Sequence, residues 1–196
     1  MLRHKLNLSA ALVFALVVTD MRPATGFETA PEYRLKAVYV YNFIKFVTWP
    51  QSSQSSKRAF VVCVVGDNPF GDELQFVQGK AVKDKVVQVD SRRELVHDPD
   101  HSLDLLRDCQ MAFISRSERG RLHTILGALH GKPILTVSDI DGFVADNGMI
   151  GFSIRAHQVR ININLRETRA AGLSVSSKLL EVANVVNGDS PPNGEH

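Results

Sequence analysis

Residues 36–50 of the chain, KAVYVYNFIKFVTWP, form the stretch that decides its fold. Apolar side chains recur there at helical spacing and also fill most of the other side, which predicts a helix packed on several sides. Pro50 restricts Trp49 to extended backbone and ends the helix there. Asn42 falls inside the apolar stripe, where its amide needs hydrogen-bond partners. The stretch therefore indicates a well-packed core, whereas the function must be inferred from the rest of the chain.

The composition is that of one ordinary globular domain. A chain of 196 residues is long enough for one domain with a sizeable core and short for two. Its formal net charge is +2, and removing the charges of the first 26 residues brings it to about zero. A near-neutral chain has no basic field to attract nucleic acid, so we set nucleic-acid binding aside.

The first 26 residues predict a secretory signal peptide. A basic start at residues 3–5 precedes an apolar run at residues 8–18, and Ala24 and Gly26 supply small residues for cleavage. The run is too short to span a bilayer comfortably, and an uncleaved anchor is the alternative. We expect a folded domain over residues 31–187 and a flexible tail over residues 188–196.

The chain has two cysteines, Cys63 and Cys109, each in or next to a predicted strand. An exported chain meets an oxidising compartment, where an even number of cysteines favours a disulfide. A bridge between them requires that the two strands be neighbours. The alternative is a pair of small buried side chains that stay reduced.

Short apolar runs alternate with helical patterns and predict an α/β fold. The expected helices cover residues 72–78 and 118–130, and the expected parallel strands cover residues 60–65, 86–89, 111–114 and 134–137. This order indicates a single compact domain with a mostly parallel sheet and helices on both faces. Residues 149–154 and 159–165 predict a C-terminal antiparallel hairpin, followed by a closing helix over residues 176–186.

Four polar residues follow predicted strands at the carboxyl edge of the sheet, where open α/β sheets bind ligands: Asp67, Asn68, Ser138 and Asp139. We interpret them as a candidate small-ligand site, although ordinary turn chemistry places the same residue types there. The sequence has no phosphate-binding loop, no nucleophile elbow and no zinc-ligand spacing. We therefore expect no cofactor and no metal. Nothing here favours an enzyme, but a pair of catalytic carboxylates leaves no short motif, so an enzyme such as a hydrolase using Asp67 or Asp139 stays open at this point.

Arg160, Asn162 and Asn164 alternate with apolar residues along the last strand of the predicted hairpin. Because side chains alternate between the two faces of a strand, these three share one polar face. That face is either a solvated edge strand or a surface for a ligand or partner, and asparagine is otherwise depleted in strands.

Segments in order along residues 33–187 resemble the YfiR-like family of periplasmic regulators. The most specific are Asn-Phe-x-Lys-Phe-x2-Trp-Pro at residues 42–50 and Leu-x2-Ser-Ser-Lys-Leu-Leu at residues 173–180. The other matching segments cover residues 62–71, 109–115, 134–139, 148–150 and 160–164. Each segment is weak alone, but the ordered set is specific.

The resemblance implies a compact α/β domain without catalytic activity, located in the periplasm. Proteins of this family can repress an inner-membrane diguanylate cyclase by binding its periplasmic sensor region, which lowers cyclic-di-GMP and biofilm formation. Dimerisation and redox control through disulfides also belong to the family picture. Cys63 and Cys109 match one cysteine pair of the family, whereas the second pair of its best-known member is missing here.

We therefore expect a non-enzymatic periplasmic repressor of such a cyclase, assembled as a homodimer. Arg160, Asn162 and Asn164 are the expected partner-binding residues, because they lie in a matching segment and on the polar face. The alternative is a periplasmic small-ligand-binding protein that serves another sensor or receptor system through the carboxyl-edge site.

Overall fold

The computed structural model describes residues 29–53, 59–92 and 105–186. The predicted signal peptide and C-terminal tail lie outside these ranges. Among the described helices, none is long and apolar enough to cross a membrane.

Helix α1 (Thr29–Phe46) confirms the helix predicted from the opening stretch. It ends before Trp49, and the chain continues as the two-residue strand β1 (Val47–Thr48). One side of α1 is buried in the core through Ala37, Val40, Phe43 and Ile44. Leu35 and Val38 are each 41% exposed, so the expectation of packing nearly all round is wrong for the outer side of the helix.

The remaining elements alternate as expected for an α/β domain. The strands are β2 (Ala59–Val65), β3 (Ala81–Val82), β4 (Lys85–Arg92), β5 (Met111–Ile114), β6 (Leu135–Ser138), β7 (Ile150–Arg155), β8 (Gln158–Asn164), β9 (Ser174–Val175) and β10 (Asn184–Val186). The helices after α1 are α2 (Leu122–Leu129), α3 (Leu165–Ala170) and α4 (Ser177–Leu180), with short 3-10 helices at Gln51–Ser53, Leu105–Asp108 and Arg116–Arg121.

Eight strands form one mixed sheet in the order β10-β8-β7-β6-β5-β2-β4-β3. The five strands from β7 to β4 in this order pair in parallel, and β7 and β8 form the antiparallel hairpin. β1 and β9 pair separately. The predicted fold class, a mostly parallel sheet with a C-terminal hairpin, is confirmed.

Helices cover both faces of the sheet. Alternate residues of the apolar strand β2 point to opposite faces, so Val62 and Val64 join the core beneath α1, whereas Cys63 and Val65 join the core beneath α2. Strands buried on both faces have continuous apolar sequences, which explains why β2 and β5 were recognisable without alternation.

The predicted disulfide is present. Cys63 in β2 is bonded to Cys109, which lies just before the neighbouring strand β5, with 5.9 Å between the two Cα atoms. Both residues are at most 1% exposed. The bridge therefore belongs to the core between the sheet and α2.

Two expected helices are wrong. Residues 72–78 form successive turns, because their backbone bonds join residues three apart, as in Gln75 N–H to Asp72 and Val77 N–H to Leu74. The closing helix is limited to α4, and the chain then extends into β10. Val185 of β10 pairs with Ile163 of β8, so β8 is an interior strand and its polar face does not lie on an edge strand.

Candidate functional site

The carboxyl ends of three neighbouring parallel strands lie at one edge of the sheet. Val65, which ends β2, pairs with Ile114, which ends β5, and Ile114 pairs with Ser138, which ends β6. Residues that follow these strands share the edge at which open α/β sheets place their ligands. Asp139 follows β6 there and is 2% exposed.

One carboxylate oxygen of Asp139 lies within contact distance of three donor groups. Its Oδ2 accepts hydrogen bonds from the Tyr33 hydroxyl at 2.7 Å and from the Lys36 ammonium group at 2.6 Å. Arg116 Nη2 lies 3.3 Å from the same oxygen. Residues 33 and 36 are neighbours on one face of α1, and Arg116 begins the 3-10 helix after β5, so three separate elements meet at this carboxylate.

Lys36 is fully buried, a position that a lysine takes only with charged partners. Besides Asp139, its ammonium group contacts the Glu32 carboxylate, one helical turn earlier. It also lies 4.2 Å from the centre of the Tyr33 ring. Two carboxylates and an aromatic face therefore compensate the burial of this charge.

Tyr33 acts as a fixed donor in the cluster. Burial, followed by the hydrogen bond to Asp139 and the charge of that carboxylate, raises the pKa of Tyr33 above its usual value. Its ring meets the Phe70 ring edge-on with 5.4 Å between the centres. The hydroxyl therefore keeps its proton and its position beside Asp139.

A cavity of about 180 Å³ opens beside this cluster and is lined by Lys36, Arg116, Asp139, Asp141, Phe152, Ser153 and Ile154. Strand β7 forms one wall because it continues beyond the end of β6, whose Ser138 pairs with Gly151 of β7. Asp139 Oδ1 is buried and has no hydrogen-bond partner among the described residues. A residue that lines the cavity thus carries a buried acceptor that the described residues leave unsatisfied.

Ser138 and Asp139 have different roles, although both were predicted to bind a ligand. The buried Ser138 hydroxyl donates to the Ile114 carbonyl at 2.6 Å and accepts from the Ile140 N–H at 3.0 Å. These bonds hold the turn after β6. Of the four predicted ligand residues, only Asp139 lines the cavity.

Asp67 and Asn68 belong to a separate turn at the end of β2. Asn68 accepts from the Phe70 N–H at 3.0 Å and donates to the Gly71 carbonyl at 3.2 Å. The Asp67 backbone N–H donates to Ser117 Oγ at 3.0 Å. The structure therefore does not bring these two residues together with Asp139 around one cavity.

Sequence reasoning missed Tyr33, Lys36 and Arg116 as the partners of Asp139. One signal was available, because a lysine within an apolar helix needs a buried partner of opposite charge. Asp139 lies 103 residues after Lys36, so only the fold identifies it as that partner.

A second cavity, of about 210 Å³, lies between α2, α3 and the loop before β7, and its lining includes His123 and His130. His130 Nδ1 lies 3.1 Å from Glu167 Oε2, and Arg166 Nε lies 3.2 Å from Glu167 Oε1. Within the described ranges, no group of three or more His, Cys, Asp or Glu residues is placed to hold a metal ion. We assign no ligand to this cavity.

The strands β7, β8 and β10 present a polar surface on the side facing away from α1. Arg160 is exposed and donates to Gln158 Oε1 at 2.6 Å. Asn162 donates to Ser153 Oγ at 3.0 Å and accepts from Asn184 Nδ2 at 3.1 Å. We call this surface the polar sheet face; it consists of Ser153, Arg155, Gln158, Arg160, Asn162 and Asn184.

Asn164, the third residue expected on the partner surface, is 1% exposed. Its Oδ1 accepts from the Glu167 N–H at 3.2 Å and caps α3, and its Nδ2 donates to the Val144 carbonyl at 3.1 Å. Both ends of the amide are therefore engaged within the domain. The structure corrects the expected contact surface, which narrows to Arg160 and Asn162.

These features define a mixed α/β domain with a disulfide in its core and an open polar sheet face. Comparison with protein-family models matches residues 33–184 to the YfiR/HmsC-like family. The chain belongs to the YfiR/HmsC-like family, and membership fits the regulatory, non-catalytic kind of function that the resemblance implies. Comparison with curated proteins found no match.

Proposed function

We propose that this protein is a periplasmic regulator that binds and represses the sensor region of an inner-membrane diguanylate cyclase. The observation that carries the proposal is the family match over residues 33–184, which runs from α1 to the first residue of β10. Export follows from the predicted signal peptide, whose cleavage after Gly26 gives a mature chain beginning at Phe27. The mass of the protein recovered from the exported fraction tests that step.

The polar sheet face is the proposed contact surface. Arg155 and Arg160 are both exposed, and the described strands β7, β8 and β10 contain no Asp or Glu. Two exposed arginines on strands that carry no carboxylate of their own favour an acidic partner surface. The hydrogen bonds that join Ser153, Asn162 and Asn184 hold this face in one conformation, which lowers the entropic cost of docking.

Repression follows from a difference in affinity. A regulator that binds the inactive state of the sensor region more tightly than the active state shifts the cyclase toward the inactive state. A tenfold preference corresponds to about 1.4 kcal/mol of coupling free energy. Any signal that lowers affinity for the inactive state then raises cyclic-di-GMP.

The experiment compares cyclic-di-GMP in the parent strain, in a strain lacking the protein, and in that strain with the protein restored. We expect a rise on removal, reversed by the exported protein but not by a version without residues 1–26. An unchanged nucleotide level in the deletion strain would contradict the proposal.

We also propose a homodimer as the assembly, in line with the family resemblance. Light scattering on the purified mature protein should give twice the mass of one chain, and a single-chain mass at cellular concentration would exclude the homodimer.

The second candidate function is small-ligand binding. One observation favours it, the cavity lined in part by Asp139, whose Oδ1 has no hydrogen-bond partner among the described residues.

A further inference from the structure

We propose that the outer side of α1 is the interface of a two-fold symmetric homodimer, in which α1 of one copy packs antiparallel to α1 of the other. The proposal rests on the homodimer proposed above and is independent of cyclase repression. Three observations carry it: an exposed apolar strip on α1, a neighbouring segment that widens the strip, and charges of opposite sign at its two ends.

The outer side of α1 exposes large apolar side chains. Leu35 and Val38 are each 41% exposed, and Phe76, from the neighbouring turns, is 39% exposed. These are three of the six large hydrophobic side chains that are exposed among the described residues. Because residues three apart are neighbours on a helix, Leu35, Val38 and the half-buried Tyr41 follow one another along the strip. An apolar strip with charges at its rim is typical of a protein interaction site.

Residues 72–80 run alongside α1 in the same direction and widen the strip. Glu73 lies beside the N-terminal half of the helix, where its carboxylate accepts hydrogen bonds from Arg34 at 3.1 Å. Phe76 lies further along, and its ring meets the Tyr41 ring edge-on with 6.2 Å between the centres. We call the combined surface of α1 and residues 72–80 the α1 outer face.

One end of the α1 outer face is basic. The ammonium groups of Lys45 and Lys80 lie 5.4 Å and 5.6 Å from the centre of the Tyr41 ring. Neither lysine forms an ion pair with a described residue. Two positive charges are therefore available to a partner at this end.

The other end is acidic. Arg34 and Glu73 form an ion pair there and neutralise each other. The exposed Asp72, next to Glu73 in the chain, adds a negative charge to the neutral pair. The face thus has a positive and a negative end, on either side of the apolar residue Val38.

This distribution of charge is self-complementary. A two-fold axis through Val38, perpendicular to α1 and in the plane of contact, reverses the direction of the second helix. It places Val38 against its own counterpart, Leu35 opposite Tyr41, and the basic end of each copy opposite the acidic end of the other. Every such contact forms twice in an interface of this symmetry. A partner surface or membrane of uniform charge would meet one end with like charge, so the distribution favours a second copy.

Sedimentation of the oxidised mature protein at about 1–100 μM tests the interface. We expect a monomer–dimer equilibrium with a dissociation constant of about 10 μM or lower. Val38→Arg puts two like charges together at the axis and should raise that constant at least about tenfold. Val86→Arg is the matched control. Val86 is 47% exposed and precedes Val87, which is buried beneath α1, so its side chain points to the opposite face of the sheet. This control should leave the constant unchanged.

A charge reversal tests the pairing of the two ends. Lys80→Glu removes the excess positive charge of the basic end in both copies and should raise the dissociation constant about fivefold. Lys132→Glu is its control, because Lys132 follows α2 on the other face of the sheet, and it should change nothing.

Disulfide trapping locates the axis. Val38→Cys should give a covalent dimer when the protein is oxidised with copper phenanthroline, because the axis brings the two introduced cysteines together. Val86→Cys, treated in the same way, should run as a single chain on a non-reducing gel.

Three outcomes overturn the proposal: a single-chain mass at every concentration, a dimer that Val38→Arg leaves intact, and a dimer that Lys80→Glu does not weaken. The first would also exclude the homodimer itself, whereas the other two would exclude only this interface. A monomer that binds vesicles of anionic lipid through the α1 outer face would assign the face to a membrane instead. None of these results bears on the nucleotide measurement in the deletion strain, so the interface and the cyclase-repressor function fail or succeed separately.

Discussion

The carboxyl ends of β2 and β6 carry similar sequences and have different structures. Each apolar strand is followed by short polar residues, Asp67 and Asn68 in one case and Ser138 and Asp139 in the other. At the β2 end, the 3-10 helix Arg116–Arg121 packs directly on the turn. At the β6 end, an aspartate is buried beside a cavity.

The difference comes from what packs over each turn. Gly66 has φ +86°, and a Cβ atom there would clash with the Ser117 hydroxyl and lie 2.8 Å from Glu118 Cγ. That crowding fills the crevice next to β2. Over β6, the charged side of α1 stands between the sheet and solvent, and Asp139 Oδ1 is buried without a hydrogen-bond partner among the described residues. Turn composition therefore marks where a site can form, and the packing of distant elements decides whether it does.

The largest expected effect on stability comes from the disulfide, which lies in the core and not at either strand end. The disulfide closes a loop between residues 46 apart, for which the chain-entropy relation gives about 4 kcal/mol of stabilisation. Cys63→Ser with Cys109→Ser should lower the free energy of urea unfolding by roughly that amount. A loss below about 1 kcal/mol would show that the bridge stabilises little.

The next effect contrasts the two aspartates. Asp139→Asn removes a charged partner from the buried Lys36, and we expect a loss of about 3 kcal/mol in the free energy of unfolding. The exposed Asp67 donates a hydrogen bond to Ser117 through its backbone N–H and not through its side chain. Asp67→Asn should therefore change the free energy of unfolding by less than about 0.5 kcal/mol. Equal losses in the free energy of urea unfolding for the two variants would mean that the aspartates at the β2 and β6 ends do not differ in structural role.

A pair of glycines sharpens the comparison of crowding. Gly66 and Gly142 both have positive φ, +86° and +81°, but a Cβ atom on Gly142 would meet only Asp146 Oδ2, at 4.0 Å. Gly142→Ala should cost about 1 kcal/mol from backbone strain alone. Gly66→Ala adds a steric clash and should cost about 2 kcal/mol more. Similar melting temperatures for the two variants would mean that the β2 end is not tightly filled.

The smallest effect concerns Tyr33. Tyr33→Phe removes one hydrogen bond to Asp139 and should cost about 1 kcal/mol near neutral pH. Because burial and the Asp139 contact raise its pKa in the folded state, the unfolded chain releases the Tyr33 proton first as pH rises above 10.0. The stability that Tyr33 contributes is thus complete below that pH and declines above it.

Urea unfolding of the parent protein and of Tyr33→Phe at several pH values measures this decline. The difference between the two free energies should shrink once the pH exceeds 10.0. A difference that grows with pH would show that the predicted direction of the pH dependence of stability is wrong.

Much of the fold was predictable because its signals are local. The continuous apolar run of β5 gave residues 111–114 in full, and alternation in β8 separated its two faces. β10 was missed because three residues, Asn184–Val186, show no period, and their strand form depends on pairing with β8. Asn164 did carry a local signal, since an asparagine three residues before Glu167 is typical of a helix N-cap.

The candidate site was less predictable because it is assembled over long sequence distances. Asp139 was identified from its place after a strand, but its partners lie on α1 and after β5. The residue types after β2, Asp67 and Asn68, do not differ in kind from Asp139 after β6. The two turns differ because the 3-10 helix after β5 packs against the turn after β2. Sequence therefore located the edge of the sheet and not the composition of the cavity.

The central claim, that the polar sheet face binds a sensor region, is tested most directly by calorimetric titration. The partner is the purified periplasmic region of the cyclase whose activity rises when this protein is removed. The proteins compared are the parent, Arg160→Glu, and Lys45→Glu, which makes a charge reversal on α1, on the other side of the sheet. The account predicts that Arg160→Glu weakens binding at least about tenfold and that Lys45→Glu leaves it unchanged. Undiminished binding by a folded Arg160→Glu protein would contradict it.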